Sequence, residues 1–580
     1  MVTTLMKEET VTHEVAPVVA PTPAGNLDNR GAGVEPIERH RRRRLGGALV
    51  AEVGRGPLTF HAVSLALVSS FLLWSARGLH FYYDDWPLVA AVTRGDASIS
   101  WLFAPHNEHL ILVPKLVYAG LYAVVGAGSA LPYLAVTIGL HLMVCHLLWR
   151  LSIRGGADPW HSTLAVAGFA TYAAGVENIL FVVTLGLLAA VALGIATLLE
   201  VSRPRPRGWL VVVMTTGSFL AFGIAPLLLA LIGLLIVVQR RFRRLLLLLP
   251  SAVAYGLWYV ITDPRVTGEA ASLSDLALLP LYWTLGVGNA LASIAPWRTP
   301  ERAVFPGLTP MSMVIALTGA VALLAMVVAV WRRRDLRPDI VVIVFLTGCG
   351  LYVLATGVTR ISFGVSSAML SRYTYVSTLF LLPFLVAVVS RACVQACRCR
   401  AAAFVIGGLS MANVVMWVPV ASVWTDWNRT TARIMAAGQD LVLSGASTFG
   451  DRSYTPEFSF LGPDELRPLD LRAVGAEIGR PDVLSAVLAT QVLFEPDKRP
   501  VDGCRPSTGV LVLNLGGEPN VLSVSASTSV DVLLVDQDNI ESHHRVMQLH
   551  PGTITVKSLI DEPATLRVTT APGDTALAEC

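Results

Sequence analysis

Leu227-Leu-Leu-Ala-Leu-Ile-Gly-Leu-Leu-Ile-Val-Val-Gln-Arg-Arg-Phe-Arg-Arg244 is the stretch that decides the fold. An unbroken apolar run closes on Gln239 and then on Arg240, Arg241, Arg243 and Arg244. Long apolar runs with few charges read as membrane spans, and Lys and Arg at their ends set the side on which they stop. The same grammar repeats over about 58–421. Apolar runs fall near 58–76, 131–149, 162–176, 177–199, 209–221, 223–238, 245–262, 311–331, 339–358, 375–390 and 401–421. Basic clusters follow at Arg150/Arg154, Arg203/Arg205/Arg207, Arg240–Arg244, Arg332–Arg334 with Arg337, and Arg391/Arg400. Two spans separate each cluster from the next, so all can lie in the cytoplasm together.

This pattern predicts a polytopic α-helical membrane protein of about 11 transmembrane helices, with its N-terminus inside and its C-terminus outside. Residues 111–127 are apolar enough to cross, but a crossing there would flip every later cluster. They are expected to lie in the outer leaflet or to be re-entrant. The composition agrees: 54% of the 580 residues are hydrophobic, only 15% are charged, and the net charge is +3. Soluble domains carry about 25% charged residues.

The ends differ from the middle. Residues 1–57 form a Pro-, Thr- and Glu-rich tail that lacks periodicity and holds the basic run Arg39–Arg44. A disordered cytoplasmic tail and topology anchor is expected, with no role in nucleic-acid binding. Residues 424–580 carry helical periodicity at 429–445 and 475–491. Short β runs follow, among them Val510–Asn514, Val530–Val535, Thr553–Val556 and Leu566–Thr570. A soluble, extracytoplasmic, β-rich C-terminal domain is expected. The seven cysteines have no paired CxxC spacing, which speaks against a zinc ribbon. Cys504 and Cys580 would pair only if that domain faces an oxidising compartment. Cys393, Cys397 and Cys399 crowd a membrane edge, where metal binding, lipidation and plain packing all stay open.

Chemistry-capable residues gather in the loops on the predicted outer side, at about 77–110 and 263–310. The first opens His80-Phe-Tyr-Tyr-Asp-Asp-Trp-Pro87. Adjacent residues of an extended segment point opposite ways, so only one of Asp84 and Asp85 is expected to face a given cleft while the other fixes the loop. A carboxylate beside another, near low dielectric, gains proton affinity and suits a general base. Pro105-His-Asn-Glu-His109 follows. On a helix His106 and His109 would share a face, and with Asp84 or Asp85 they could hold a divalent metal. Substrate hydrogen bonding, Glu108 included, or loop packing are the alternatives. Lys115 should snorkel or meet an anion. Glu177-Asn178 sits at an outer turn, and Ser371-Arg-Tyr-Thr-Tyr375 opens an inward-going span, so Arg372 could receive a phosphate. Arg360 reads as an interfacial anchor. His141 and His146 read as packing or interhelical hydrogen bonds.

Taken together, Tyr83-Asp-Asp-Trp-Pro87, Asn107-Glu-His-Leu-Ile-Leu-Val-Pro-Lys115, Glu177-Asn178 and Ser371-Arg-Tyr-Thr-Tyr375 resemble the GT-C superfamily of membrane glycosyltransferases, in particular actinobacterial members. The likeness covers roughly 58–421. It implies a polyprenyl-phosphate-linked sugar as donor and an envelope glycan or lipid as acceptor. It further implies Asp84 or Asp85 as the base, the donor phosphate near Arg372 and Lys115, and inversion by single displacement. His106, Glu108, His109, Glu177, Asn178 and Tyr373 join the implied substrate-binding set. No cofactor is required, and a divalent metal is left open. Two other classes remain: a transporter or lipid flippase, and a non-catalytic envelope scaffold that presents the C-terminal domain.

Overall fold

The computed structural model describes residues 54–262, 264, 272–393, 396–444 and 469, together with strand segments between 492 and 579. The N-terminal tail with Arg39–Arg44, residues 475–491, Cys504 and Cys580 lie outside the described residues.

Among the described residues of 54–444 there are helices and no strand. In chain order the helices are α1 Arg55–Ser75, α2 Asp85–Arg94, α3 Ile99–Phe103, α4 Leu112–Val125, α5 Leu131–Arg154 and α6 Pro159–Ala170. Then come α7 Val176–Leu180, α8 Leu185–Val201, α9 Gly208–Ala221, α10 Ala225–Val238, α11 Leu249–Thr262 and α12 Leu273–Ala277. The last are α13 Leu279–Ala292, α14 Pro300–Val304, α15 Pro310–Arg332, α16 Ile340–Arg360, α17 Ser371–Ala392 and α18 Ala396–Ser444.

Among the described residues seven helices are long and apolar enough to cross a membrane, or eight if the bent pair Pro159–Ala170 and Ala173–Leu180 counts as one span. The chain is a multi-pass membrane protein. The expected eleven crossings are therefore corrected, and helix length is the reason. Helices α9, α10 and α11 have 14 residues each, so each is ~21 Å long against a hydrocarbon core of ~30 Å. Phe222 adopts an extended backbone, φ −167 and ψ 158, and parts α9 from α10 at the boundary between the apolar runs 209–221 and 223–238. Helix α4, over the segment 111–127, also has 14 residues and is equally short for a crossing.

The β-rich C-terminal domain is corrected as well. Its expected start at 424 falls inside α18, one continuous helix of 49 residues. Strand pairing is described for backbone segments such as Val510–Asn514 and Thr565–Thr570. Within those segments Val568 is buried.

Small residues bring the helices together where lipid offers no hydrophobic drive. A Cβ on Gly288 of α13 would overlap the backbone oxygen of Ala316 in α15, and one on Gly319 would overlap the oxygen of Gly288. The two backbones touch there. Gly288→Ala is expected to lower stability by about 1–3 kcal/mol, the usual range for overpacking. Gly139→Ala should be neutral, because no atom lies within 4 Å of its Cβ position. Thermal unfolding of both variants in matched detergent checks the contrast.

Candidate functional site

The segment His80–Asp85 leaves α1 and is held from two sides. Asn428 of α18, 1% exposed, accepts from the His80 backbone N–H at 2.8 Å and donates to the His80 carbonyl at 3.0 Å. Trp427 Nε1 donates to the Tyr82 hydroxyl at 2.9 Å, and the Tyr82 ring meets Phe181 and Trp424 edge-on at 5.0 and 5.1 Å. Tyr83 then takes a left-handed φ of 43°, a conformation that a non-glycine residue holds only under constraint. This turn sends the two adjacent carboxylates to opposite environments.

Asp85 is fully buried. Its Oδ1 accepts from the Tyr118 hydroxyl at 2.6 Å and from the Val183 backbone N–H at 2.9 Å. Its Oδ2 accepts from the Tyr82 backbone N–H at 2.9 Å. One side chain thus ties the loop to α4 and to the segment that enters α8. Burial pushes its pKa up to about 7, against the lowering effect of the three hydrogen bonds. Tyr82 is likewise pushed up, to about 12, chiefly by burial.

Asp84 stands at the N-cap of α2 but makes no capping hydrogen bond. It is half-buried, and its hydrogen bond is a long one, accepted from Asn107 Nδ2 at 3.4 Å. Its charge reaches His106, His109 and Arg372. Of the pair, Asp84 is the carboxylate that another group can approach.

His106 and His109 do not share a helix face. They end a tight turn, with the His106 N–H donating to the His109 carbonyl at 2.9 Å and the reverse bond at 3.0 Å. Asn107, at φ 45°, makes the turn. His106 Nε2 is buried without a hydrogen-bond partner, and burial lowers the pKa of both imidazoles. The His109 ring packs on Phe222 at 4.8 Å, against the break between α9 and α10. Among the described residues no three His, Cys, Asp or Glu side chains are grouped to hold a metal ion.

The cations are mostly engaged. Glu108 forms a forked pair with Arg360, with Oε2 at 3.1 Å from Nη2 and Oε1 at 3.5 Å from Nη1. Lys115, 2% exposed, donates to the carbonyls of Trp101 at 2.6 Å and Ala104 at 2.7 Å. Its ammonium therefore ties off the end of α3, and burial brings its pKa down to about 8. Arg372 pairs with Glu177 at 2.9 Å, with side-chain exposures of 47% and 9%. Glu177 also accepts from the Arg372 backbone N–H at 3.2 Å, and Asn178 Nδ2 donates to the Arg372 carbonyl at 3.2 Å. The neighbouring Tyr373 packs edge-on against Tyr352 at 6.4 Å.

No family model matches this chain, and no curated protein matches it. Two solved structures resemble it. One is ArnT from Cupriavidus metallidurans bound to undecaprenyl phosphate, at 15% identity and TM-score 0.34, covering 75% of this chain and 92% of that one. The other is the same protein in the apo state, at 16% identity and TM-score 0.34, covering 71% and 84%.

The structure therefore gathers Asp84, Asn107, the His106 turn, Tyr82, Glu177 and Arg372 into one polar cluster and leaves Lys115 to a buried structural task. Sequence reading passed over Tyr118, Trp427 and Asn428, which hold the aspartates in place. Only Tyr118 had a usable signal, as a polar-tipped ring inside the apolar run before residue 127. The Glu177–Arg372 pair is coupled to both elements that frame the cluster. Glu177→Ala and Arg372→Ala are each expected to lower stability by about 1–2 kcal/mol, discounted for the exposure of Arg372. The double variant should fall well short of the sum. A thermal double-mutant cycle measures the coupling.

Proposed function

We propose that this chain moves a glycosyl unit from a polyprenyl-phosphate carrier to a hydroxyl of an envelope acceptor on the outer side of the membrane. The observation that supports it best is the division of the adjacent carboxylates. Asp85 is buried and triply hydrogen-bonded, whereas Asp84 keeps an open carboxylate within reach of the Arg372 charge. A base and a cation in one cleft suit a displacement that develops negative charge on a leaving phosphate.

In this reading the acceptor O–H gives its proton to the Asp84 carboxylate. Its oxygen forms a bond to the anomeric carbon, and the bond from that carbon to the phosphate oxygen breaks. The electron pair leaves on the polyprenyl phosphate, which is met by Arg372 at the head of α17. A single displacement inverts the anomeric centre. Tyr82, His106, Asn107 and Glu177 border the acceptor and sugar.

The test is a glycolipid and glycan profile of cells that carry wild type, a deletion, or Asp84→Asn at matched protein level. Loss of the same product in the deletion and the variant supports the reading. A product that survives in Asp84→Asn but not in the deletion ends it.

A further inference from the structure

The N-terminus of α9 and the C-terminus of α10 are held together by side chains of the segments that flank them, 201–207 and 239–244. Arg244 donates to the carbonyls of Val201 at 2.6 Å, Arg203 at 2.9 Å and Pro204 at 2.7 Å. Arg241 donates to the Arg203 carbonyl at 3.1 Å. Glu200, buried near the end of α8, pairs with Arg203 at 2.7 Å and accepts from the Arg207 backbone N–H at 2.9 Å. Helices α9 and α10 are thus a hairpin. Its apex is Phe222, where the His109 ring packs, and its open end is locked.

Four arginine side chains take no part in the lock. Arg205, Arg207, Arg240 and Arg243 are exposed, and among the described residues no carboxylate pairs with any of them. Two of the four stand where local structure disfavours them. Arg240 closes α10 at φ 56°. Its N–H donates to the Val237 carbonyl at 2.8 Å, and the Arg241 N–H donates to the Ile236 carbonyl at 3.0 Å. Glycine is the usual residue at that place in such a cap, because a side chain there is strained. Arg207 is the N-cap of α9 and makes no capping bond with its side chain, which places a cation at the positive end of the helix dipole. Two broken local rules at one corner point to a functional demand on those side chains.

The surroundings narrow the partner. Trp209 follows Arg207 by two residues and is 66% exposed, and Phe242 lies between Arg240 and Arg243 and is 58% exposed. Aromatic rings beside arginines are the composition of a membrane–water interface. Each helix of the hairpin has 14 residues, so it is ~21 Å long and ~9 Å short of the hydrocarbon thickness. A bilayer meets so short a stretch by thinning and by flanking side chains that reach for the headgroups. Four cations without a counter-charge at that level favour an anionic lipid over a zwitterionic one. We propose that this corner binds the headgroups of anionic phospholipids, with Arg205, Arg207, Arg240 and Arg243 as the phosphodiester-binding set and Trp209 and Phe242 seated in the same leaflet. The site lies a helix length from the Phe222 apex and does not rest on the transfer reaction.

The test uses the full chain. Native mass spectrometry of the detergent-solubilised protein, titrated with phosphatidylglycerol or phosphatidylcholine of equal chain length, gives the affinity for each. Wild type should prefer phosphatidylglycerol by about tenfold or more. R205Q/R207Q/R243Q should lose that preference, at about fivefold in affinity per arginine. R332Q/R333Q/R334Q removes three exposed cations from the end of α15 and should keep it. R240G supplies an independent reading. It should raise the unfolding midpoint in phosphatidylcholine nanodiscs by about 1–2 °C, because the backbone strain goes, and lower the phosphatidylglycerol affinity about fivefold. The proposal is overturned by an unchanged preference in R205Q/R207Q/R243Q, by equal losses in the two triple variants, or by an R240G protein that binds as wild type or unfolds earlier. Competition by the water-soluble glycerophosphoglycerol headgroup as strong as by the lipid overturns it too.

Discussion

On the proposed function, Asp84→Asn is expected to lower the transfer rate by about 10²–10⁴-fold while the protein stays folded. The magnitude is that of a positioned general base. The folding half of the expectation comes from the geometry. Asp84 caps nothing and accepts one long hydrogen bond, from Asn107, so an amide of the same shape disturbs little. The variant keeps the charge-independent contacts and loses the proton acceptor. Rates with a synthetic polyprenyl-phosphate sugar, read beside unfolding midpoints, check both halves. A rate within about threefold of wild type at unchanged stability would remove Asp84 from the chemistry.

Asp85→Ala has the opposite signature. It strands the Tyr118 hydroxyl and the backbone N–H groups of Val183 and Tyr82. Each unsatisfied buried donor costs about 1–3 kcal/mol, so a total loss of about 3–9 kcal/mol is expected, a large share of the ~5–15 kcal/mol that holds a domain folded. Yield of folded protein should collapse before any rate can be measured. Asp85→Asn, which keeps two acceptor directions, should lie between. The pH dependence separates the charge from the shape. The folded carboxyl, held near about 7 against the ordinary 3.8, binds its proton more tightly than the unfolded chain does. Stability contributed by this group is therefore greatest at the acid end, declines as pH rises from about 4 to about 7, and is flat above. Asp85→Asn should abolish that slope, seen as the wild-type minus variant unfolding midpoint across pH 4–8.

Much of the helical layout could be read from local sequence. Each apolar run became helix, since hydrophobic length is a local property. The span count could not be read that way. The break at Phe222 and Gly223 was legible as the boundary between two apolar runs, but its packing against the His109 turn was not. The composition change near 424 falls inside α18. Asp426 and Arg429 make α18 polar without ending it. At the site, two adjacent aspartates after an apolar span were conspicuous in the sequence. Which of them is buried depends on Tyr118 and Val183, 33 and 98 residues away from Asp85. The pairing of Glu108 with Arg360 spans 252 residues, and nothing in either local motif announces it. Lys115 shows the limit most plainly. A lysine in an apolar run suggests a snorkelling side chain or an anion, and here two backbone carbonyls close at hand accept from it.

The clamp at Asn428 has a mechanical consequence. Helix α18 continues from that residue to Ser444, a further ~24 Å of rod at 1.5 Å per residue. Because Asn428 holds both the N–H and the carbonyl of His80, the position of this rod fixes where the segment carrying Asp84 begins.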